Sequence, residues 1–295
     1  MPTIVEITEQ TAGSLRGYVR NQEQVTYLAE AIDDSVTSFD VGNGTRISAG
    51  RLSIGNEIME VDSVSGNTVT LFPFGRGADG STAAAQSLNS RVVANPLFPR
   101  HIVLEAVKQS VQAVHSHVPG VAQHTFAATG ATYGYNLPAD VDTVLSVQTE
   151  RPGILYTWLP LNRYRVEKNA DTTDFAGGKS LVVFDGAFPG RDVLVTYTKT
   201  TPTSLTGATD LVTGLGMRES VQDVIVYGAV ARLLSMVDIA LLDPSSVQSL
   251  FVDEKRQPGS AGKTVAQLWG LYRDRLDEER RLFTQDNPIS VHYER

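Results

Sequence analysis

Residues 223–242, DVIVYGAVARLLSMVDIALL, limit the possible architectures more than any other part of the chain. Charge is confined there to Asp223, Arg232 and Asp238. Val226, Ala229, Val230, Leu233, Leu234, Val237, Ala240 and Leu241 recur at i, i+3, i+4, i+7, i+8 and i+11, the spacing of one helix face. Val221, Val224, Ile225, Gly228 and Ala231 make a second apolar side, so this helix is expected to be covered on more than one face. Asp243-Pro244 ends it, because proline disfavours helical geometry in the preceding residue and has no amide proton. A membrane span needs roughly 20 apolar residues with few or no charges. Arg232 and Asp238 interrupt this run, which reads as a buried helix in a protein with no membrane contact.

The rest of the chain arranges itself around that helix in alternating blocks. Residues 11–22 read as a short helix and 25–28 as a strand. From 39 to 93 the pattern is β: Ile47, Leu52, Ile54, Ile58 and Val61 alternate imperfectly with polar residues, and Val69-Thr70-Leu71-Phe72 is β-branched and aromatic. Ser65-Gly66-Asn67 is a turn between two strands, and a glycine-rich loop, Gly75-Arg76-Gly77-Ala78-Asp79-Gly80-Ser81, follows. Pro99 suits the first turn of a helix. Val103, Ala106, Val107, Val111, Val114 and Val118 give that helix an apolar face, and Pro119-Gly120 closes it. Strands are expected at 143–147, 155–159, 164–167, 181–184 and 193–197, a spacing that suggests a sandwich. A last helix carries Val265, Leu268, Trp269, Tyr272 and Leu276 on one stripe and stops at Asn287-Pro288.

This order predicts an α+β fold. A helical-bundle core (96–122 and 201–286) would carry an inserted β-sandwich-like module (123–200). A separate small N-terminal β module with a leading arm (1–95) and a C-terminal tail (287–295) would complete it.

Residue chemistry points away from catalysis. With no cysteine, disulfides, thiolate nucleophiles and Cys-based zinc sites are excluded. Gly259-Ser260-Ala261-Gly262-Lys263-Thr264 resembles a phosphate loop, but the first glycine of that motif would fall on Gln257, and DEKRQP before it is no buried strand. His115 and His117 point about 200° apart on a helix and cannot share a metal there. Their reading is a polar helix end, which favours histidine near the C-terminus. Asp140/Asp142 and Asp171/Asp174 lack the glycine and distal glutamate of a calcium loop and read as turn formers. No catalytic residues, cofactor or metal are expected, and the chain reads as a non-enzyme. The formal net charge of −8, without clustered Lys and Arg, predicts that any contact with DNA is non-adhesive.

The charge run 273–281, RDRLDEERR, has two readings. It is a solvated face with i,i+4 pairs such as Asp277–Arg281, or a subunit contact whose alternating signs set register between copies.

Two stretches resemble tailed-bacteriophage virion proteins. Gly55-Asn56-Glu57-Ile58-Met59-Glu60-Val61, then Val64-Ser65-Gly66-Asn67-Thr68-Val69, then Gly75-Arg76-Gly77-Ala78-Asp79-Gly80-Ser81-Thr82-Ala83-Ala84-Ala85 are similar to a small β module of such proteins, often ending RG-x-x-GT-x-A-x-x-H. Ser81 replaces the threonine, and Gln86 stands where histidine is common. The helix from Pro99, the β stretch after it and the helix around Tyr227-Gly228-Ala229 resemble head-to-tail adaptor (connector, head completion) proteins. That resemblance implies a ring, commonly of twelve copies, in the virion neck, assembled in the host cytoplasm. Its partners would be itself, the portal and downstream neck or tail proteins, with DNA passing through unbound. The implied C-terminal segment reaches the portal. Candidate interface residues are therefore Trp269, Tyr272, Arg273, Asp277 and Arg281 on the last helix, with Ile289, Tyr293 and Arg295 in the tail. The rival readings are another minor tail or baseplate protein, or a carbohydrate-binding adhesive module using Tyr156, Trp158 and Tyr164.

Overall fold

In the computed structural model, which describes residues 2–18, 23–129, 134–153, 157–184, 186–236 and 260–288, the chain divides into two units. One comprises Met1–Thr3, Val111–Gln222 and Asp274–Arg295; the other comprises Ile4–Ser110 and Asp223–Arg273.

The second unit opens with α1 (Ile4–Arg16), which buries Ile4, Ile7, Thr8, Thr11 and Leu15 at helical spacing. The hydroxyls of Thr8 and Thr11 donate to the carbonyls of Ile4 and Ile7, so polar residues sit on the buried face without an unmet donor. Strands β1 (Gln24–Tyr27), β2 (Ser38–Asp40), β3 (Gly50–Ile54), β4 (Glu57–Ser65), β5 (Thr68–Leu71) and β6 (Arg91–Ala94) pair in the order β1-β6-β3-β4-β5-β2. All are antiparallel. The two end strands approach each other: Leu28 bridges Val41, the Ala29 amide donates to Asp40 and the Gly42 amide to Tyr27. The sheet is thus a half-barrel with a partly closed edge, which limits the strand surface open to unwanted pairing. Phe39, Leu52, Ile54, Met59, Val61, Val69, Leu71 and Val92 fill its interior. The imperfect alternation in the sequence has a cause here, because a register shift falls between Val61 and Ser63.

The same unit holds α3 (Gln222–Ser235), the beginning of α4 (Ser260–Asp286) and most of α2 (Arg100–His115). Nine of the fourteen residues of α3 are buried. Gly228 marks a close approach: a Cβ there would stand 2.5 Å from Ser110 Oγ and 2.9 Å from the Tyr272 ring. Ser110 Oγ also donates to the Ile225 carbonyl at 2.9 Å. Gly228→Val should therefore destabilise by about 1–3 kcal/mol through overpacking. The expected readout is a lower urea midpoint with an unchanged m value.

The first unit is built from β7 (Val121–Ala127), β8 (Gly134–Asn136), β9 (Val141–Glu150), β10 (Trp158–Pro160), β11 (Tyr164–Glu167), β12 (Ser180–Val183) and β13 (Asp192–Lys199). They form sheets β10-β9-β13-β7 and β11-β12-β8. Val141, Val144, Val147, Val193, Val195 and Tyr197 of the larger sheet share one core with Tyr164, Leu181 and Val183 of the smaller.

The expected helical-bundle core with separate β modules is corrected by this arrangement. The described residues hold four α-helices and three antiparallel sheets, and the helical residues are divided between two units that each contain sheet. Helical periodicity reveals that a face is buried but not what buries it, and the order of blocks along the chain was an unsafe guide to their grouping. The N-terminal helix also starts earlier than expected, at Ile4, because Thr8 and Thr11 occupy buried positions that read as polar. Residues 19–22 of the predicted helix, and 237–242 of the apolar run, lie outside the described residues.

Candidate functional site

In the glycine-rich loop 75–81 the arginine turns inward. Arg76 Nε donates to Glu57 Oε1 at 2.6 Å and Nη2 to Glu57 Oε2 at 3.0 Å, a bidentate pair with both side chains buried. Arg76 Nη1 donates to the Asp33 and Val36 carbonyls, and Nη2 to the Ala84 carbonyl. Glu57 in turn accepts the Gly77 amide at 3.2 Å and the Ala84 amide at 3.1 Å. Five main-chain groups from three segments are thus satisfied by one ion pair. The Asp33 turn it grips is itself fixed: the Asp33 carboxylate accepts from the Ser35 hydroxyl and from the Ser35 and Val36 amides, which lowers its pKa. Ser81, at the position of the threonine in the resembled pattern, accepts the Ile58 amide and donates to the Ala78 carbonyl. The loop is a fold-holding clamp.

That clamp presents an apolar tip. Phe72 is 45% exposed and Phe74 is 100% exposed, with Pro73 between them. Phe74 has φ 66°, a left-handed conformation rare for a bulky side chain. The turn is held by the Gly75 amide to the Phe72 carbonyl, and by Glu60, whose amide donates to Gly75 and whose carbonyl accepts the Phe72 amide. A Cβ on Gly75 would come within 2.7 Å of that Glu60 carbonyl, so the turn needs glycine there.

A cavity of about 580 Å³ opens in the same unit, between α1, β3, β6 and the start of α2. Ala12, Leu15, Val93, Pro96 and Phe98 supply its apolar wall, and Glu9, Arg16, Glu23, Arg91 and Arg100 its charges. Arg100 Nε donates to Glu9 at 2.7 Å, and its Nη1 donates to Asn56 at 2.5 Å. Gln86, at the histidine position of the resembled pattern, lines the cavity while its backbone bridges Ile32.

In the other unit, polar side chains serve the fold. His115 is buried at the end of α2 and its Nε2 accepts the Gly120 amide at 3.2 Å. Burial lowers its pKa, Lys199 lowers it further, and Asp142 acts in the opposite direction. Below about pH 6.5 the unfolded chain binds a proton that the folded chain resists. Stability is therefore fully present above that pH and falls as pH drops toward the depressed folded value. Denaturant melts at pH 7.5 and 5.5 should show this loss, and His115→Gln should flatten it. Tyr197 donates to Asp140 at 3.2 Å, and burial with that carboxylate raises its pKa to about 12. Its neutral form thus stabilises the fold below pH 10 and the benefit is lost between pH 10 and about 12. An ultraviolet titration should show several late phenols, because burial also raises Tyr18, Tyr164 and Tyr272, and Tyr197→Phe should remove one of them. Asp171 accepts the Thr173 amide in a turn, which lowers its pKa.

The sequence-derived interface candidates separate by location. Trp269 packs edge-on against Tyr272, with centroids 5.5 Å apart, and its Nε1 lies 3.5 Å from Ser235 Oγ. Tyr272 is only 8% exposed. Arg273, Asp277 and Arg281 are exposed, and Asp277 pairs with Arg280 at 4.0 Å. Arg275 reaches Glu278 and the buried Glu279, which also accepts from Ser220. Ile289, Tyr293 and Arg295 lie outside the described residues. Of the rings considered for sugar binding, Tyr164 is fully buried, Trp158 is half-buried, and Tyr156 lies outside the described residues.

Sequence reasoning missed the Glu57–Arg76 pair and the cavity. Glu57 carried a signal, an acid directly before the apolar Ile58-Met59 in GNEIMEV, nineteen residues before an arginine set among glycines. Among the described residues no cluster of three metal-capable side chains occurs, and no helix is long and apolar enough to cross a membrane. Compared with known proteins, the chain matches no family model and no curated sequence.

Proposed function

We propose that this chain is a structural subunit of a tailed-phage virion: a head-to-tail adaptor that assembles into a ring in the neck, between the portal and the downstream neck or tail proteins. The observation that carries the reading is the Phe72–Phe74 tip. An apolar tip, fully exposed at Phe74 and held by main-chain bonds to Glu60 of β4, is costly in a free protein and useful in one that mates with a neighbour. The exposed mixed-sign face of α4, with Arg273, Asp277 and Arg281, supplies a second surface of the kind that orients subunits. A net charge of −8 per copy, summed around a ring, repels DNA phosphates and lets a genome slide past. The burial of Tyr164 speaks against an aromatic sugar platform on that sheet.

Particles assembled without the chain provide the test. Filled heads and free tails that fail to join support the adaptor role; joined, infectious particles refute it.

A further inference from the structure

We infer that the Phe72–Phe74 tip of one copy docks into the cavity beside α1 of the next copy, making a head-to-tail contact that propagates around the ring. This rests on the assembly reading above and specifies its interface. Three features of the molecule favour a second copy as the occupant. First, the cavity and the tip lie in different parts of one unit: the cavity is lined from β3 and β6, and the tip follows β5, beyond β4 in the strand order. One copy can therefore offer both surfaces, and such a heterologous contact builds closed rings where the rotation closes. Second, size agrees. At about 580 Å³ the cavity falls within the range of pockets that enclose small ligands, about 300–1,000 Å³, which leaves room for two phenyl groups. Its wall includes the apolar Leu15, Val93 and Phe98.

Third, charge is complementary. The tip is flanked on β4 by the exposed Glu60 and Asp62, while three arginines, Arg16, Arg91 and Arg100, face two glutamates around the cavity. Exposed apolar surface continues on that side. Tyr27 stands opposite Arg91 in the β1–β6 ladder, and Leu88 lies between the lining residues Gln86 and Ser90; each is 54% exposed. Opposed residues in an antiparallel pair share a face, so Tyr27 borders the arginine that a docked tip would meet.

Because the chain has no native cysteine, the contact can be trapped without background. In the full chain, Phe74→Cys combined with Ala12→Cys should give, on oxidation at high concentration, a ladder of covalent multimers. Each single-cysteine variant can give at most a dimer, and pairing Phe74→Cys with Phe188→Cys in the other unit serves as the control. A ladder specific to the first pair supports the inference. A lone dimer band, or no band above the control, overturns it. Native mass spectrometry of the same samples separates the two levels. A closed oligomer without the ladder overturns the docking mode and leaves the assembly reading standing, whereas neither ladder nor oligomer in the presence of portal rings removes both. Phe74→Asp, checked for an unchanged circular dichroism spectrum, should weaken self-association at least tenfold; undiminished association would also overturn the inference.

Discussion

Arg76→Ala should lower the stability of the half-barrel unit by about 3–5 kcal/mol, the range for breaking a buried ion pair and stranding one charge. The loss has named parts. The Glu57 carboxylate stays buried with only the Gly77 and Ala84 amides as partners, and the carbonyls of Asp33, Val36 and Ala84 lose their donors. Buried ion pairs can often be replaced by apolar residues of similar volume at little cost. That should fail here, because Arg76→Met with Glu57→Leu removes the partners of five main-chain groups, three of them in part-buried bonds. Arg76→Lys should fall between wild type and alanine, since an ammonium cannot reproduce the fork that spans Glu57 and three carbonyls. Urea denaturation of the four proteins gives the order directly. Equal stability of wild type and Arg76→Ala would show that the loop is held by something else.

Tyr164→Ala carries a comparable penalty, about 3–5 kcal/mol, for a different reason. Tyr164 is among the largest fully buried side chains and belongs to the core shared by both sheets of the other unit. Its removal leaves a cavity that packed neighbours refill only in part. Burial also raises its phenol pKa. Tyr164→Phe should stay close to wild type in stability, because ring volume is kept. If the ring were instead an exposed sugar platform, alanine would abolish glycan binding and leave the melting curve unchanged. Thermal unfolding of the two variants distinguishes these outcomes.

Legibility in the sequence followed the range of the forces involved. Strand β11 was read at its observed limits, and the turn at Gly66-Asn67 and the end of α4 before Pro288 were legible too, because turn chemistry and proline act locally. Grouping of elements was not legible. Which helices pack together depends on contacts such as Ser110–Ile225, between α2 and α3 and 115 residues apart, that no periodicity encodes. The site was half visible. The glycine-rich loop stands out in the sequence, but its role as a clamp needs Glu57, nineteen residues earlier and buried. Phe72 reads as the end of a strand, since β propensity is silent on which aromatic faces water, whereas β5 stops at Leu71 and Phe72 begins the exposed tip. Trp269 and Tyr272 are both interface candidates and members of the apolar stripe of the last helix, and such a stripe marks the buried side, where Tyr272 lies.

Native mass spectrometry of the purified full chain, alone and with portal rings, tests the central proposal most directly. Closed oligomers of a single stoichiometry, disrupted by Phe74→Asp, are the expected result. A chain that remains monomeric at every concentration and binds no portal ring would contradict it.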